Sequence, residues 1–422
     1  MRKRRRDRGG VIKAGGYRLD GVGTLTVMTL EIRSLPAHDV KAAWHVVERA
    51  FGTVPHPADT EVELGVVDPA RFYGTYDGEQ LVGTGGSYDF SMTVPGAAAP
   101  VAGVTWVGVL PTHRRRGTLT ALMDRQLRDL HEQGRAVAGL WASQSAIYGR
   151  FGYGPAAWDL AVTVPCGAPF RAAVAPGGVR FVEPTASVLR PLYDAVQART
   201  PGCPARDDAW WAFRLHDPEH RRSGSGPLQC ALTDGGYALY STTPAWELQQ
   251  PIGAVRVKEV VATTAEARAR LWRFLLDLDL MRDVSYLRLP VDDPLLLDLL
   301  EEPGSARAVL RNSLHVRLVD VPTALATRRY ACEVDVVLEV EDAQCPWNTG
   351  TWHLTGDRSG ATCLPTGSAA DLVVTVSDLG AAYLGGTPLR SRAVEERRPG
   401  ALALTSTAIG PLDGAPWCPI VF

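Results

Sequence analysis

Val104-Thr105-Trp106-Val107-Gly108-Val109-Leu110-Pro111-Thr112-His113-Arg114-Arg115-Arg116-Gly117-Thr118-Leu119 reads as a strand that enters a tight basic loop and then a helix. Beyond it, Leu119, Leu122, Met123, Leu127 and Leu130 recur as one apolar stripe, and Gly134 ends the run. A helix is therefore predicted from about Arg116 to Gln133. Its first turn carries unpaired N–H groups and a partial positive charge, which bind phosphate oxygens directly. Three arginines at that end oppose the helix dipole unless an anion sits there. The competing reading is a basic cap on a solvated face. Gly117 lets the backbone approach a pyrophosphate, and Arg114 and Arg115 add charge-assisted hydrogen bonds. A fold without a Walker loop can hold the diphosphate of CoA in this way.

Working outward, the same segment opens with a short strand at Thr29–Ile32. A helix over about 38–51 follows, with Val40, Ala43, Trp44, Val47 and Ala50 at helical spacing. Asp77-Gly78 between strand-like runs predicts a hairpin. After the long helix come a strand at 137–142, a short helix at 145–150 and a last strand at 158–164. The order strand, helix, three strands, helix, strand, helix, strand describes an α+β fold with helices on a mixed sheet. On the short helix, Tyr148 can point into a cleft and protonate a leaving thiolate, since a thiol has a pKa near ~8.5 and tyrosine near ~10. Buried, hydrogen-bonded aromatics are the plain alternative for Tyr148 and Tyr153.

Two more segments follow. Residues 167–318 loosely repeat the rhythm, with strands at 237–240 and 255–261 and a helix at 265–278. Val261-Ala262-Thr263-Thr264 joins strand to helix there without an arginine cluster or glycine, so this copy lacks the ligand loop. Residues 319–422 begin with a helix near 321–328, followed by strands at 333–339, 351–354 and 361–364.

Charge is uneven. Residues 1–27 hold eight Lys or Arg and two Asp, leaving a body with 36 basic and 44 acidic residues, near −8. An acidic body disfavours nucleic acid and favours cationic ligands. The stretch Arg2–Arg6 has no apolar run after it of the kind a signal peptide needs. With Gly9, Gly10, Gly15 and Gly16 it predicts a disordered basic tail at 1–27, the ordered pattern starting at Met28. No apolar run approaches the ~20 residues of a membrane helix. Seven cysteines without C-x-x-C spacing argue against a zinc site or a disulfide framework and fit a reducing cytosol. His216 and His220 have metal-like spacing, but Pro218 between them disrupts a shared helix face, so they read as loop residues. No G-x-S-x-G or H-E-x-x-H occurs. Trp210 and Trp211 read as core or interface residues.

The basic loop resembles the acyl-CoA loop of GNAT-superfamily acetyltransferases. Together, P-T-H-R-R-R-G and A-S-x-x-x-I-Y-G-R-F-G-Y-G-P (142–155) resemble the Eis (enhanced intracellular survival) family. The resemblance extends over nearly all of 28–422, through Gly236–Tyr240, Leu271–Arg273, Leu318–Pro322 and Tyr383–Gly386. It implies a GNAT domain at 28–166, a second GNAT-like domain without the CoA loop at 167–318, and a sterol-carrier-like domain at 319–422. It implies acetyl-CoA as co-substrate, no metal, and transfer to a primary amine of a cationic substrate: an aminoglycoside, a polyamine or lysine. By position, Val107 and Val109 would meet the pantetheine arm, with the Val107 N–H on the thioester oxygen. Arg114, Arg115, Gly117 and Thr118 would hold the pyrophosphate, Ser143 would position the cofactor, and Tyr148 would be the general acid. The terminal carboxylate of Phe422 would act as base through water. A cytoplasmic homohexamer is implied, with no nucleic-acid or membrane partner. Val421 stands where the family often has an acidic residue, and the stretch at 52–56 also departs from it. The rival is a non-catalytic CoA-binding module with a lipid- or protein-binding third domain.

Overall fold

The computed structural model describes residues 12–19, 25–53, 56–175 and 177–422. The first sheet is built from β1 (Ile12–Leu19), β2 (Leu25–Ser34), β3 (Phe72–Asp77), β4 (Gln80–Val94), β5 (Ala97–Val109), β6 (Val137–Trp141) and β7 (Gly154–Pro155). The strand Leu314–Leu318, from far down the chain, enters between β6 and β7. Four helices accompany this sheet: α1 (Val40–Phe51), α2 (Pro57–Gly65), α3 (Thr118–Glu132) and α4 (Ser145–Gly149). The stripe predicted on α3 is the buried one: Leu122, Met123, Leu127 and Leu130 lie inside.

Two expectations are corrected. Of the tail expected to be disordered, residues 1–11 and 20–24 lie outside the described residues. Within it, β1 pairs antiparallel with β2, from Ile12 opposite Ile32 to Leu19 opposite Leu25. Main-chain groups carry that ladder, so Gly15 and Gly16 do not prevent it, and it covers an otherwise open edge of β2. The strand expected to close the first domain, β8 (Trp158–Pro165), belongs instead to the second sheet. It lies there between the strands Met281–Pro290 and Arg307–Asn312. The two halves thus exchange strands, and a boundary at 166 cuts through a shared structure.

The second sheet has seven strands, including Gly236–Thr243 and Gly253–Ala262, with the helix Ala265–Leu276 against it. Residues 319–422 form a five-stranded sheet with the helices Val321–Thr327, Val376–Ala382 and Ala401–Ala408. The apolar core of this last unit runs without a break into β4, β5 and the exchanged strand, through Met92, Val101, Leu314 and Val316. Among the described residues, no helix is long and apolar enough to cross a membrane.

Candidate active site

β5 and β6 run parallel but pair only over Val101–Gly103 with Val137–Gly139. Beyond Gly103 the two strands have no further pairing, which leaves a V-shaped opening in the sheet. On its other side β5 carries a bulge. Gly86 opposes Thr105 and Thr84 opposes Gly108, so Trp106 and Val107 together face Gly85. Trp106 takes the left-handed conformation (φ 54°) that the extra residue requires. The bulge re-aims the backbone at the mouth of the V, where Val107 lies.

Two cavities meet at this point. One, of about 640 Å³, is lined by Val107, Val109, Arg114, Arg115, Gly117, Thr118, Ser143 and Tyr148. The other, of about 530 Å³, contains Val107, Ser143, Tyr148 and Phe422, with Glu48, Glu63, Trp210 and Arg288 around it. All nine residues singled out from sequence therefore line one cavity or the other, and Val107, Ser143 and Tyr148 line both.

The basic loop differs in detail from expectation. Gly117 has φ 79° and begins α3, but a Cβ placed on it meets no atom within 4 Å. Backbone conformation, rather than crowding, is what calls for glycine here. Arg114 donates to the carbonyls of Ala50 (2.7 Å) and Val109 (3.2 Å), so it ties the end of α1 to the end of β5 as well as facing the cavity. Arg115 forms no ion pair with a described residue. Thr118 is buried, its hydroxyl donating to the His113 carbonyl at 3.4 Å. His113 is braced by Thr112 (2.8 Å) and Asp77 (3.3 Å) beneath the loop.

The Tyr148 ring packs edge-on to Tyr153 at 6.1 Å, and burial pushes its hydroxyl up to about 12. That hydroxyl keeps its proton at neutral pH. Phe422 arrives from the third domain along a tail fastened at several points. Trp417 donates from its backbone to Pro201 (2.8 Å) and from its indole to the Arg288 carbonyl (2.9 Å). Ile420 is buried with Phe72, Tyr88, Phe90 and Trp106, and the Phe422 ring lies 4.9 Å from that of Phe90. Gly103 leaves room for both rings, since a Cβ there would sit 2.3 Å from that of Phe90 and 3.1 Å from that of Phe422. All three domains thus contribute to the second cavity.

The chain matches a family model described as an acetyltransferase (GNAT) domain over residues 31–156, a second of that description over 202–318, and a sterol carrier protein domain over 321–419. An uncharacterized N-acetyltransferase of Streptomyces avermitilis is 44% identical over 411 residues, covering 93% of this chain and 99% of that one. N-acetyltransferase Eis of Mycobacterium tuberculosis is 36% identical over 325 residues, covering 74% of this chain and 78% of that one. The chain belongs to the Eis family of GNAT N-acetyltransferases. Eis1 from Mycobacterium abscessus superimposes with a TM-score of 0.80 at 30% identity, covering 93% of this chain and 100% of that one. The enzyme is an acetyltransferase that uses acetyl-CoA, and the non-catalytic reading falls.

In the second GNAT domain the junction at 261–264 starts its helix with a side-chain cap. Thr264 caps the helix Ala265–Leu276 by accepting from the Ala267 N–H at 3.1 Å. Gly117, at the start of α3, offers no such cap. Several cavity residues escaped the sequence reading. Helix α2 brings Glu63, and its start was marked by Pro57 at the first helical position. Trp210, read from sequence as a core or interface residue, is one: it packs on Tyr88 and Phe90 of the first domain, both at 4.9 Å. His216 and His220 are more than loop residues: both bond Asp59 of α2, at 3.1 and 2.8 Å, across the domain boundary. Among the described residues, no group of three or more metal-ligand side chains assembles.

Proposed function

We propose that the enzyme transfers acetyl directly from acetyl-CoA to a primary amine of a cationic acceptor: aminoglycoside-like, a polyamine or lysine. The observation that carries this is the meeting of two cavities at Val107, Ser143 and Tyr148. Acetyl-CoA supplies an acetyl group activated as a thioester. Arg115, Gly117 and Thr118 bind the pyrophosphate at the start of α3, Arg114 holds the loop to α1, and Val109 and Ser143 line the pantetheine path. The Val107 N–H donates to the acetyl oxygen as charge develops on it, a contribution of up to several kcal/mol where water is excluded. Glu48, Glu63 and the Phe422 carboxylate face the ammonium group, and that carboxylate takes its proton through water. Tyr148 donates a proton to the departing sulfur. Burial strengthens its hold on the proton, and the same burial raises the proton affinity of a thiolate beside it. The family resemblance supports a cytoplasmic homohexamer, which light scattering of the purified protein would test.

The deciding experiment measures CoA thiol release across aminoglycosides, polyamines and lysine peptides, with a protein lacking Phe422 alongside. Deletion moves the terminal carboxylate back by one residue, about 3.5 Å, too far to keep the same water. Turnover that is lost on deletion supports the assignment. Equal turnover by both proteins removes the terminal base.

A further inference from the structure

Behind the C-terminal tail lies a third cavity, of about 350 Å³, that the transfer reaction leaves unused. It shares Phe213, Arg288 and Val421 with the acceptor cavity, so the two adjoin at these residues. Six cations line it: Arg214, Arg221, Arg222, Arg256, Lys258 and Arg288. Asp217 is its one acidic residue.

Half of those cations are already paired. Arg214 meets Glu259 at 3.3 Å, and Arg222 meets Asp217 at 2.9 Å. Arg221 meets Asp59 at 2.8 Å and Glu63 at 3.1 Å. Asp217 is also engaged by the backbone, the same oxygen accepting from the Leu228 N–H at 2.8 Å. Arg256, Lys258 and Arg288 have no carboxylate within ion-pair distance among the described residues. Among the described residues, Lys258 donates to the His216 carbonyl alone, at 3.5 Å. Burial, then the charges of Arg214 and Arg221, push its ammonium down to about 8 against Asp217 and Glu259. Burial and Arg214 also lower Arg288. Holding Lys258 and Arg288 half-buried without a carboxylate, beside the exposed Arg256, costs free energy that an anion would recover. The chain uses 40 arginines and four lysines, and one of those four lysines stands here.

The two adjoining cavities therefore differ in charge: six cations and one acid line the one behind the tail, whereas the acceptor cavity sets Glu48 and Glu63 among Arg288 and Arg311. Glu48, Glu63 and the chain terminus line the acceptor cavity, Arg256 and Lys258 line the one behind the tail, and Arg288 stands between them and lines both. We propose that the acceptor amine also carries an anionic group, a carboxylate or a phosphate, and that Arg256, Lys258 and Arg288 hold it. Among the acceptors above, this selects lysine-like amphoteric molecules over polyamines. The catalytic consequence rests on the transfer reading, whereas the anion site does not.

Two measurements separate them. In the first, inorganic phosphate and succinate are titrated calorimetrically into the full chain with CoA saturating, so that the Arg114–Thr118 loop is already occupied. The expectation is binding of at least one anion, weakened about tenfold in Lys258→Met and in Arg256→Gln, the loss of one charge-assisted contact. Arg256 is exposed, so its variant keeps the test valid if Lys258→Met fails to fold. No binding of either anion by the parent overturns the site. In the second, acetylation rates are compared for lysine against cadaverine and for phosphoethanolamine against ethanolamine. Preference for the anionic member of a pair, abolished in the variants through KM, supports the inference and tells carboxylate from phosphate. Cadaverine and ethanolamine used as well as their partners overturns it. Anion binding without turnover on any of the four supports the site and counts against the transfer reading for such acceptors.

Discussion

Tyr148 shows how much a single environment can change a residue's role. Its hydroxyl is raised to about 12 by burial alone, so it remains a proton donor throughout the neutral range. Tyr148→Phe should lower kcat by about a hundredfold or more, as expected for loss of a positioned acid, with KM for acetyl-CoA nearly unchanged. Because the raised group is still protonated well above the ordinary tyrosine range, kcat of the parent should show no fall near pH 10 arising from it. A Tyr148→Phe enzyme with parental kcat would sink the assignment. Glu259 is the opposite case. Burial would raise its carboxyl, but Arg206 and Arg214, with hydrogen bonds from Arg206 (2.6 Å) and Tyr237 (2.8 Å), hold it at about 2. A lowered folded pKa means stability that is fully present above the unfolded value, 4.5, and lost as pH falls toward 2. Glu259→Gln should cost about 3–5 kcal/mol at pH 7, because it strands buried guanidinium charge. The difference in unfolding free energy between parent and variant should shrink as pH falls from 4.5 toward 2. A constant difference over that range would show that the charge is not what matters.

At the scale of elements, the decisive unit is β5, its loop and α3. Gly117 must adopt φ 79° to start α3, yet nothing crowds it. Gly117→Ala should therefore cost about 1–2 kcal/mol of backbone strain and raise KM for acetyl-CoA, with little change in kcat. Unchanged KM would mean that the loop does not depend on that turn. This element was legible in the sequence because local rules act together in it: an apolar strand, Pro111, a basic loop, a glycine and an apolar stripe at helical spacing. Helix α2 was less so. Its apolar stripe is weak, and it is held by the interdomain cluster of Asp59, His216, His220 and Arg221. Such partners are more than 150 positions apart in the chain, and no local pattern joins them. The bulge at Trp106 was invisible for a related reason. It is a property of the pairing between β4 and β5, not of either strand alone.

At the scale of the whole molecule, what the sequence could not show is which sheet a strand joins. β8 reads as a strand from its own alternation, and that reading holds. The same pattern fits either sheet, and the choice is made by partners at 281–290 and 307–312. In return, Leu314–Leu318 inserts between β6 and β7, pairing Leu314 with Trp141 and Val316 with Gly154. Leu314, Val316 and Leu318 are fully buried there. The reciprocal strands make the two GNAT domains one folding unit, and the tail from Trp417 to Phe422 binds the third domain to both. A chain ending at residue 166 should therefore fail as an independent domain, although the sequence places a boundary there. It keeps the loop and Tyr148 but leaves β6 paired on one side only, with β5, and β8 without a sheet. An open edge beside a bared apolar cluster favours aggregation. The fragment should bind a hydrophobic dye strongly, unfold without a cooperative transition and show no acetyl transfer, while the full chain melts in a single step. A monomeric fragment with a sharp thermal transition would show that the exchanged strand only decorates a finished sheet, and that the second and third domains serve the site alone and not the fold.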